Sequence, residues 1–591
     1  MNRRMVWLML TCAIGVVLVL TACAPGATTP PTITPPTTTP PTTTPATTVP
    51  PTTKPSAEEP KYGGSITYIA AQDIQGFDEA FTTPWSTVTM HLTNEELLAG
   101  DFAKGPAGTN ECDWIYEGFV LQYETPLLAE SWENPEPGTL VFHIRKGIYW
   151  HNKPPVNGRE LTAEDIRYSI ERAYTTPTAY LRNTTPWKVE VSAPDKYTVV
   201  IKCPPERQGQ TLGDAGDKIR IVAKEMVDKW GNLRDWRASC GTGPYTLQDY
   251  VPGSSVLFQK NPAYWRNDPA HPNKRLPYLD NIKVLVITDP STRLAALNTA
   301  KVDRYDGILW EDKDVLKRNK PDLQWKQVLY ANPSQIYPKS DRPPTNDIRV
   351  RQAMIMGTDY NTIIKDYYGG NAIMGTFPVA PVKGYLDMYT PLDQLPEGTR
   401  ELYVYNPDKA KQLLKDAGYP NGFSTSILCY NAAAQVDLLS IVKAQWAKIG
   451  INLTLDVKEY GVWYTMLAGK TYDKLVFRYC TFTSPYKLLD SRPDSEFDAS
   501  MINDPKCNEY FDKVQAAFFN PPEFNRILKD YVLYFQSNAW VVQMPMYYVY
   551  TAWWPWLRGC HGEYAVGYSN QWSWGQYMWV DQDMKVKMTG R

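Results

Sequence analysis

The side chains able to do chemistry are numerous in this sequence, but none of the familiar catalytic arrangements brings them together. The five histidines, His91, His143, His151, His271 and His561, are dispersed along 591 residues. No H-E-x-x-H pair sets two imidazoles on one helical face, and no G-x-S-x-G turn presents a serine nucleophile. Cys12 and Cys23 lie in the N-terminal region, which leaves Cys112, Cys203, Cys240, Cys429, Cys480, Cys507 and Cys560. An odd set keeps at least one thiol out of any disulfide pattern, with Cys203–Cys240 and Cys429–Cys480 as the pairings to consider. No C-x-x-C spacing marks a structural zinc site. Carboxylates are plentiful without an acid/base pair standing out. We therefore expect a protein that is not an enzyme, with no cofactor and no metal held directly by protein ligands. The unusual feature is aromatic: 20 Trp and 39 Tyr, rings that are costly to expose and well suited to stacking on a ligand. Core packing accounts for most of them; the rest are candidates for a binding surface.

The chain around these residues divides by composition. Residues 1–23 read as an export signal: Arg3 and Arg4 precede an apolar run from Met5 to Leu20. The run ends in Leu20-Thr21-Ala22-Cys23, which looks like a bacterial lipobox with Cys23 as the lipidated residue. Acyl chains on that thiol would hold the protein at the outer face of a bacterial cytoplasmic membrane. Residues 24–60 are almost pure Thr and Pro, too poor in apolar surface to fold. As extended polyproline they form a stalk that reaches on the order of 100 Å.

From Lys61 the composition is globular, and a chain this long exceeds one core, so two large lobes are expected. Net charge is −2 and the basic residues are scattered, which excludes a nucleic-acid surface. Strands are read at Ser65–Ile69 and Thr139–Ile144 from their alternation. A helix opens at Thr162, its cap, with Glu164 and Asp165 in the first turn. Another runs from the Asn406-Pro407 cap to Gly418. Strands and helices alternate without a repeat, giving an α/β class in more than one lobe.

Several stretches stand out in order: Pro126 to Glu133, Phe142 to Gly147, Trp150-His151-Asn152, and Leu161 to Arg172. Gly241-Thr242-Gly243-Pro244-Tyr245 and Asn261-Pro262-Ala263-Tyr264-Trp265 follow, then Arg349-Val350-Arg351 and Ala410 to Phe423. In this order they resemble the family 5 extracellular solute-binding proteins of ABC importers, whose members bind oligopeptides, dipeptides, nickel chelates and some oligosaccharides. The resemblance covers about residue 61 to about residue 560 and makes His143 and His151 structural. It implies a periplasmic-binding-protein-like clamp: a discontinuous lobe I over 61–310 with a subdomain inserted at about 100–235, lobe II over 311–540, and a return to lobe I over 541–591. It also implies a monomer that captures a peptide-like solute and hands it to ABC permease subunits. The alternatives are an oligosaccharide, a nickel chelate, or a surface receptor without transport.

Peptide-binding relatives carry an aromatic, two residues, then an aspartate that meets the peptide's amino group. Here Tyr479 holds the aromatic position, Cys480 follows it, and Phe482 stands where the aspartate belongs. A buried ammonium without a carboxylate is costly by several kcal/mol, so the missing charge would have to come from Glu459, Asp490 or Asp494. Tyr460 matches a position usually held by tryptophan. Tyr547 and Tyr548 lie at the return crossing, and Trp85 in an early cleft-lining loop. These residues form the expected ligand surface.

Overall fold

The computed structural model describes residues 58–590 except 116–117, 333, 480–497 and 569. Cys23 and almost the whole stalk lie outside the described residues, as do Cys480 and Phe482. Residues Glu59–Arg591 form one compact unit. Among the described residues no helix is long and apolar enough to cross a membrane.

The large sheet gathers strands from distant parts of the chain. Its order is Gln324–Leu329, Met546–Trp553, Arg304–Ile308, Ser65–Ala70, Asn281–Val286, Ser255–Lys260 and Tyr245–Val251, with Ala372–Ile373 also paired to Met546–Trp553. The three strands around Ser65–Ala70 are parallel and the flanking pairs antiparallel. A second sheet orders Ser334–Pro338, Leu475–Tyr479, Phe423–Tyr430 and Ile451–Lys458. It has its own core, in which Trp446, Ile427, Val350 and Phe477 are buried. A third, antiparallel sheet runs Ala129–Glu136, Thr139–Ile144, Thr198–Lys202, Glu190–Asp195 within the expected subdomain.

The chain passes from the large sheet to the second one after Leu329, because Gln324–Leu329 pairs in full with Met546–Trp553. The sequence reading puts that passage near residue 310; the helix Trp310–Asn319 and one further strand intervene. The return lies alongside: Ile336 and Val542 exchange backbone hydrogen bonds at 3.0 and 2.9 Å, and Met544 donates its N–H to Gln335 Oε1 at 2.6 Å.

The motifs behind the family resemblance are mostly internal fastenings. His151 accepts a hydrogen bond from Gly241 N at 3.2 Å through Nδ1 and donates from Nε2 to Gly243 O at 3.0 Å. One imidazole thereby ties two motifs about ninety residues apart, and burial lowers its pKa to about 4, keeping it neutral. Asn261 Nδ2 donates to the same Gly243 oxygen at 3.0 Å. Arg172 grips the buried Asp78 with two bonds of 2.8 and 2.7 Å. Arg351, also buried, donates to the carbonyls of Thr345, Asn538 and Ala539 and stands 4.5 Å over the Trp540 ring. Cys203 and Cys240 are free thiols, so the first suggested disulfide is not formed; the second falls on Cys480, outside the described residues.

Candidate functional site

In the second sheet, Phe423–Tyr430 runs parallel to both neighbours, Ile451–Lys458 and Leu475–Tyr479. Their carboxyl ends therefore share one edge, which is where an open α/β sheet takes ligands. Two of the strands end on a tyrosine, Tyr430 and Tyr479. The third leads through Glu459 into the helix Tyr460–Ala468, so Tyr460 opens its first turn on the same edge. The Glu459 carboxylate caps that helix, accepting from Gly461 N at 2.8 Å and Val462 N at 3.3 Å. The carboxylate is engaged there; Asp490 and Asp494, the other candidates for a missing anion, lie outside the described residues.

Tyr430 is the hub of this edge. Its ring is edge-on to Tyr460 at 5.3 Å and to Trp463 at 5.1 Å, and lies 6.1 Å from Tyr479. Its hydroxyl donates to that of Tyr479. Tyr460 is 54% exposed and Tyr479 38%, so both rings are offered to a ligand while Tyr430 is half-buried behind them.

A second aromatic group marks the crossing between the sheets. Tyr547 is stacked between Tyr330 at 5.0 Å and Tyr368 at 5.4 Å, with Trp310 edge-on at 5.8 Å. Tyr330 donates its backbone N–H to Tyr547 O at 2.8 Å, joining the outgoing and returning chains. The two groups are electrostatic neighbours: burial and then the Tyr479 and Tyr564 phenols push the Tyr330 pKa up. Burial likewise raises Tyr430, Tyr460, Tyr368 and Tyr547, so these phenols remain protonated at any ordinary pH. On the large-sheet side the charge is internally matched. Asp306 takes 2.9 Å from Arg304 Nε and 2.7 Å from the Tyr68 hydroxyl.

Of the residues expected from sequence, Tyr460, Tyr479 and Tyr547 are brought into this assembly. Tyr548, the next residue on an alternating strand, faces the other side. Its N–H bonds Asn371 O at 2.8 Å, and burial, then Tyr550, raises its phenol. Trp85 belongs to a different group, edge-on to Tyr180 at 5.0 Å. Tyr430, Trp463, Tyr330 and Tyr368 were not singled out. The available signal was an aromatic closing a βαβ strand, which Tyr430 satisfies.

Two lobes built on separate α/β sheets, joined by paired crossings, define a two-lobed clamp of the periplasmic-binding-protein kind. The chain belongs to the bacterial extracellular solute-binding proteins, family 5, whose model ("family 5 Middle") matches residues 124–491. It is 29% identical over 371 residues to the dipeptide-binding protein of Escherichia coli K12, covering 57% of this chain and 64% of that protein. With heme-binding protein A of Haemophilus influenzae the identity is 28% over 352 residues, covering 55% and 60%. The matched stretch thus spans a little under two thirds of these relatives' length. In three dimensions the chain resembles the Helicobacter pylori periplasmic binding protein DppA in complex with the peptide STSA. The TM-score is 0.67 at 21% identity, over 88% of this chain and 99% of that one. NikA of Brucella suis, in complex with Fe(III)-EDTA, gives 0.67 at 17% identity over 87% and 99%. These proteins bind solutes; they are not enzymes.

Proposed function

We propose that this protein captures a peptide-like solute between its two lobes and delivers it to an ABC permease, as a monomer tethered through lipidated Cys23 at the outer face of the membrane. The observation that carries this reading is the row of tyrosines at the carboxyl ends of the second sheet's strands, set beside the paired crossings. A ligand touching rings on one lobe and the facing surface of the other stabilises the closed form through contacts that the open form lacks. In this reading the passages at 329–334 and 542–546 are the hinge, with lobe II between them. Relatives named for dipeptides and haem support a small organic solute. An oligosaccharide is the second reading, favoured by the uncharged phenols around Tyr430.

Thermal unfolding of the full chain against di- to pentapeptides, oligosaccharides and nickel–histidine tests the proposal. A ligand at a hundred times its Kd adds roughly 2.7 kcal/mol of stability. Replacing both Tyr460 and Tyr479 with alanine should abolish the shift. An undiminished shift in that double variant would remove the tyrosine edge from the binding site, and no shift with any ligand would refute solute capture of these classes.

A further inference from the structure

The core of this molecule does not divide where the chain does. Phe511, Val514, Phe518 and Phe524 lie between the two crossings, on or beside the helices Pro505–Ala516 and Pro521–Ser537. They are buried in one continuous core with Phe119 and Leu212 of the inserted subdomain, apart from the core around Trp446 and Ile427 in the second sheet. The two helices are nonetheless fastened to the second lobe. Ser340 N donates to Ser500 O at 2.7 Å, the Tyr403 hydroxyl to Gln536, and Arg351 Nη2 to Asn538 O at 3.0 Å. In a clamp hinged at 329–334 and 542–546 they move as part of lobe II.

What joins them to the subdomain is specific. Phe518 lies parallel to Phe119 at 6.4 Å and fills the space over Gly209, where a Cβ would come within 2.2 Å of its ring. Phe519 is tilted on Trp132 at 6.1 Å, and the Arg207 guanidinium stands 4.3 Å over the Phe511 ring. From a second segment of lobe II, the Tyr385 hydroxyl accepts a hydrogen bond of 2.8 Å from Gly118 N, next to Phe119. We propose that Phe518 and Tyr385 form a latch between the lobes, which favours the closed clamp independently of the solute. Each of these contacts is between the protein's own groups, so it stabilises the closed form whether or not a solute lies in the cleft. A solute arriving from outside has to wait for the contact to part, which slows its association. Both side chains act as positioning residues, through the balance between the open and closed forms. The inference deepens the solute-capture reading and rests on it; the contact itself is tested without a solute.

Amide hydrogen exchange of the full chain, with no solute added, tests the latch, because the Gly118 N–H finds its acceptor on the other lobe. In the wild type this amide should exchange at least about tenfold more slowly than an unprotected one. Phe518→Ala leaves the Gly118–Tyr385 pair in place and should speed the exchange at least about tenfold. Phe518→Leu, which keeps an apolar side chain, should speed it by less. The amides of Thr139–Ile144 in the subdomain and of Phe423–Tyr430 in the second sheet should keep their rates. The radius of gyration from small-angle scattering should rise in the same order, from wild type through Phe518→Leu to Phe518→Ala. A Gly118 amide unprotected in the wild type, or one exchanging equally in all three proteins, overturns the proposal. So does an acceleration at Thr139–Ile144 that matches the one at Gly118, because Phe518 would then prop the subdomain instead of tying the lobes. Each of these outcomes leaves solute capture standing, since no solute enters the measurement. Silence across the wider ligand panel would instead remove solute capture and leave the contact between the lobes in place.

Discussion

At Gly209 the missing side chain matters more than any contact around it. The residue sits in the helix Gln208–Asp217, and a Cβ there would overlap the ring of Phe518, which also lies parallel to Phe119 at 6.4 Å. Alanine should gain up to about 1 kcal/mol in helix propensity. Overpacking costs roughly 1–3 kcal/mol, so Gly209→Ala is expected to be net destabilising, read as a lower urea midpoint. In a Phe518→Ala background the clash is gone and the same change should become neutral or stabilising. A cost that stays equal in both backgrounds would mean the ring is not what excludes the side chain. Single residues were legible in proportion to how local their signal is. Tyr479 and Tyr460 could be found because each sits in a recognisable stretch of sequence. Tyr430 could not, because its importance arises only when strands nearly fifty residues apart align their carboxyl ends. The position of Phe482, which departs from the peptide-binding pattern, lies outside the described residues.

Helix ends were the most legible elements, since a cap is written in adjacent residues. The helix predicted to open at Asn406-Pro407 spans Pro407–Asp416, with Asn406 accepting from Lys409 N at 3.0 Å. Gly418 follows in the left-handed region at φ 92°, with open space where a side chain would go. Asn406→Ala should cost about 1 kcal/mol for the lost cap. Gly418→Ala should cost a similar amount of roughly 1 kcal/mol, from backbone strain alone. Denaturant melts of the two single variants and the double one should show near-additive losses, because the sites share no partner. A marked departure from additivity would indicate that the two ends of the helix unfold as one unit. Sheet order was not legible in the same way. The strand Ser65–Ala70 could be read from its alternation, but its neighbours come from residues 281–286 and 304–308, and the sheet closes only when 546–553 returns. The strand Gln324–Leu329 stays in the large sheet for that reason: its partner is supplied from more than two hundred residues away.

Over the whole molecule, one buried charge group joins the early loop, the inserted subdomain and the C-terminal tail. Arg220 is fully buried; it donates to Glu79 at 2.5 Å and to Asn570, and pairs with Glu96 at 3.1 Å. Asn570 Nδ2 donates in turn to Asp217 at 3.1 Å. Three carboxyls, those of Glu79, Glu96 and Asp217, thus act on a single guanidinium, Glu124 is a further buried acid that repels Glu96 and Asp217, and the four cannot all be ionised cheaply. Burial raises each of them; Glu79 and Glu95 add to the rise at Glu96, which reaches about 7 against the pull of Arg220. For Glu124, burial is followed by repulsion from Glu96 and Asp101. These groups hold protons in the folded state that the unfolded chain has already released. Their contribution is therefore fully present below the unfolded carboxyl pKa and is lost as pH rises through the folded values. His91 and His151 are shifted downward by burial and act oppositely, but only below about pH 6.5. His561, raised by Glu563 against its burial, adds to the alkaline loss. Between about pH 6.5 and 8 the protein should therefore lose stability, by roughly 1 kcal/mol from Glu96 alone. Glu124→Gln removes one buried acid and lets Glu96 and Asp217 ionise with less repulsion. Its melting temperature should exceed that of the wild type at pH 8 and fall less steeply across the window. Parallel curves for the two proteins would show that the carboxyls around Arg220 titrate independently, and that the loss arises elsewhere.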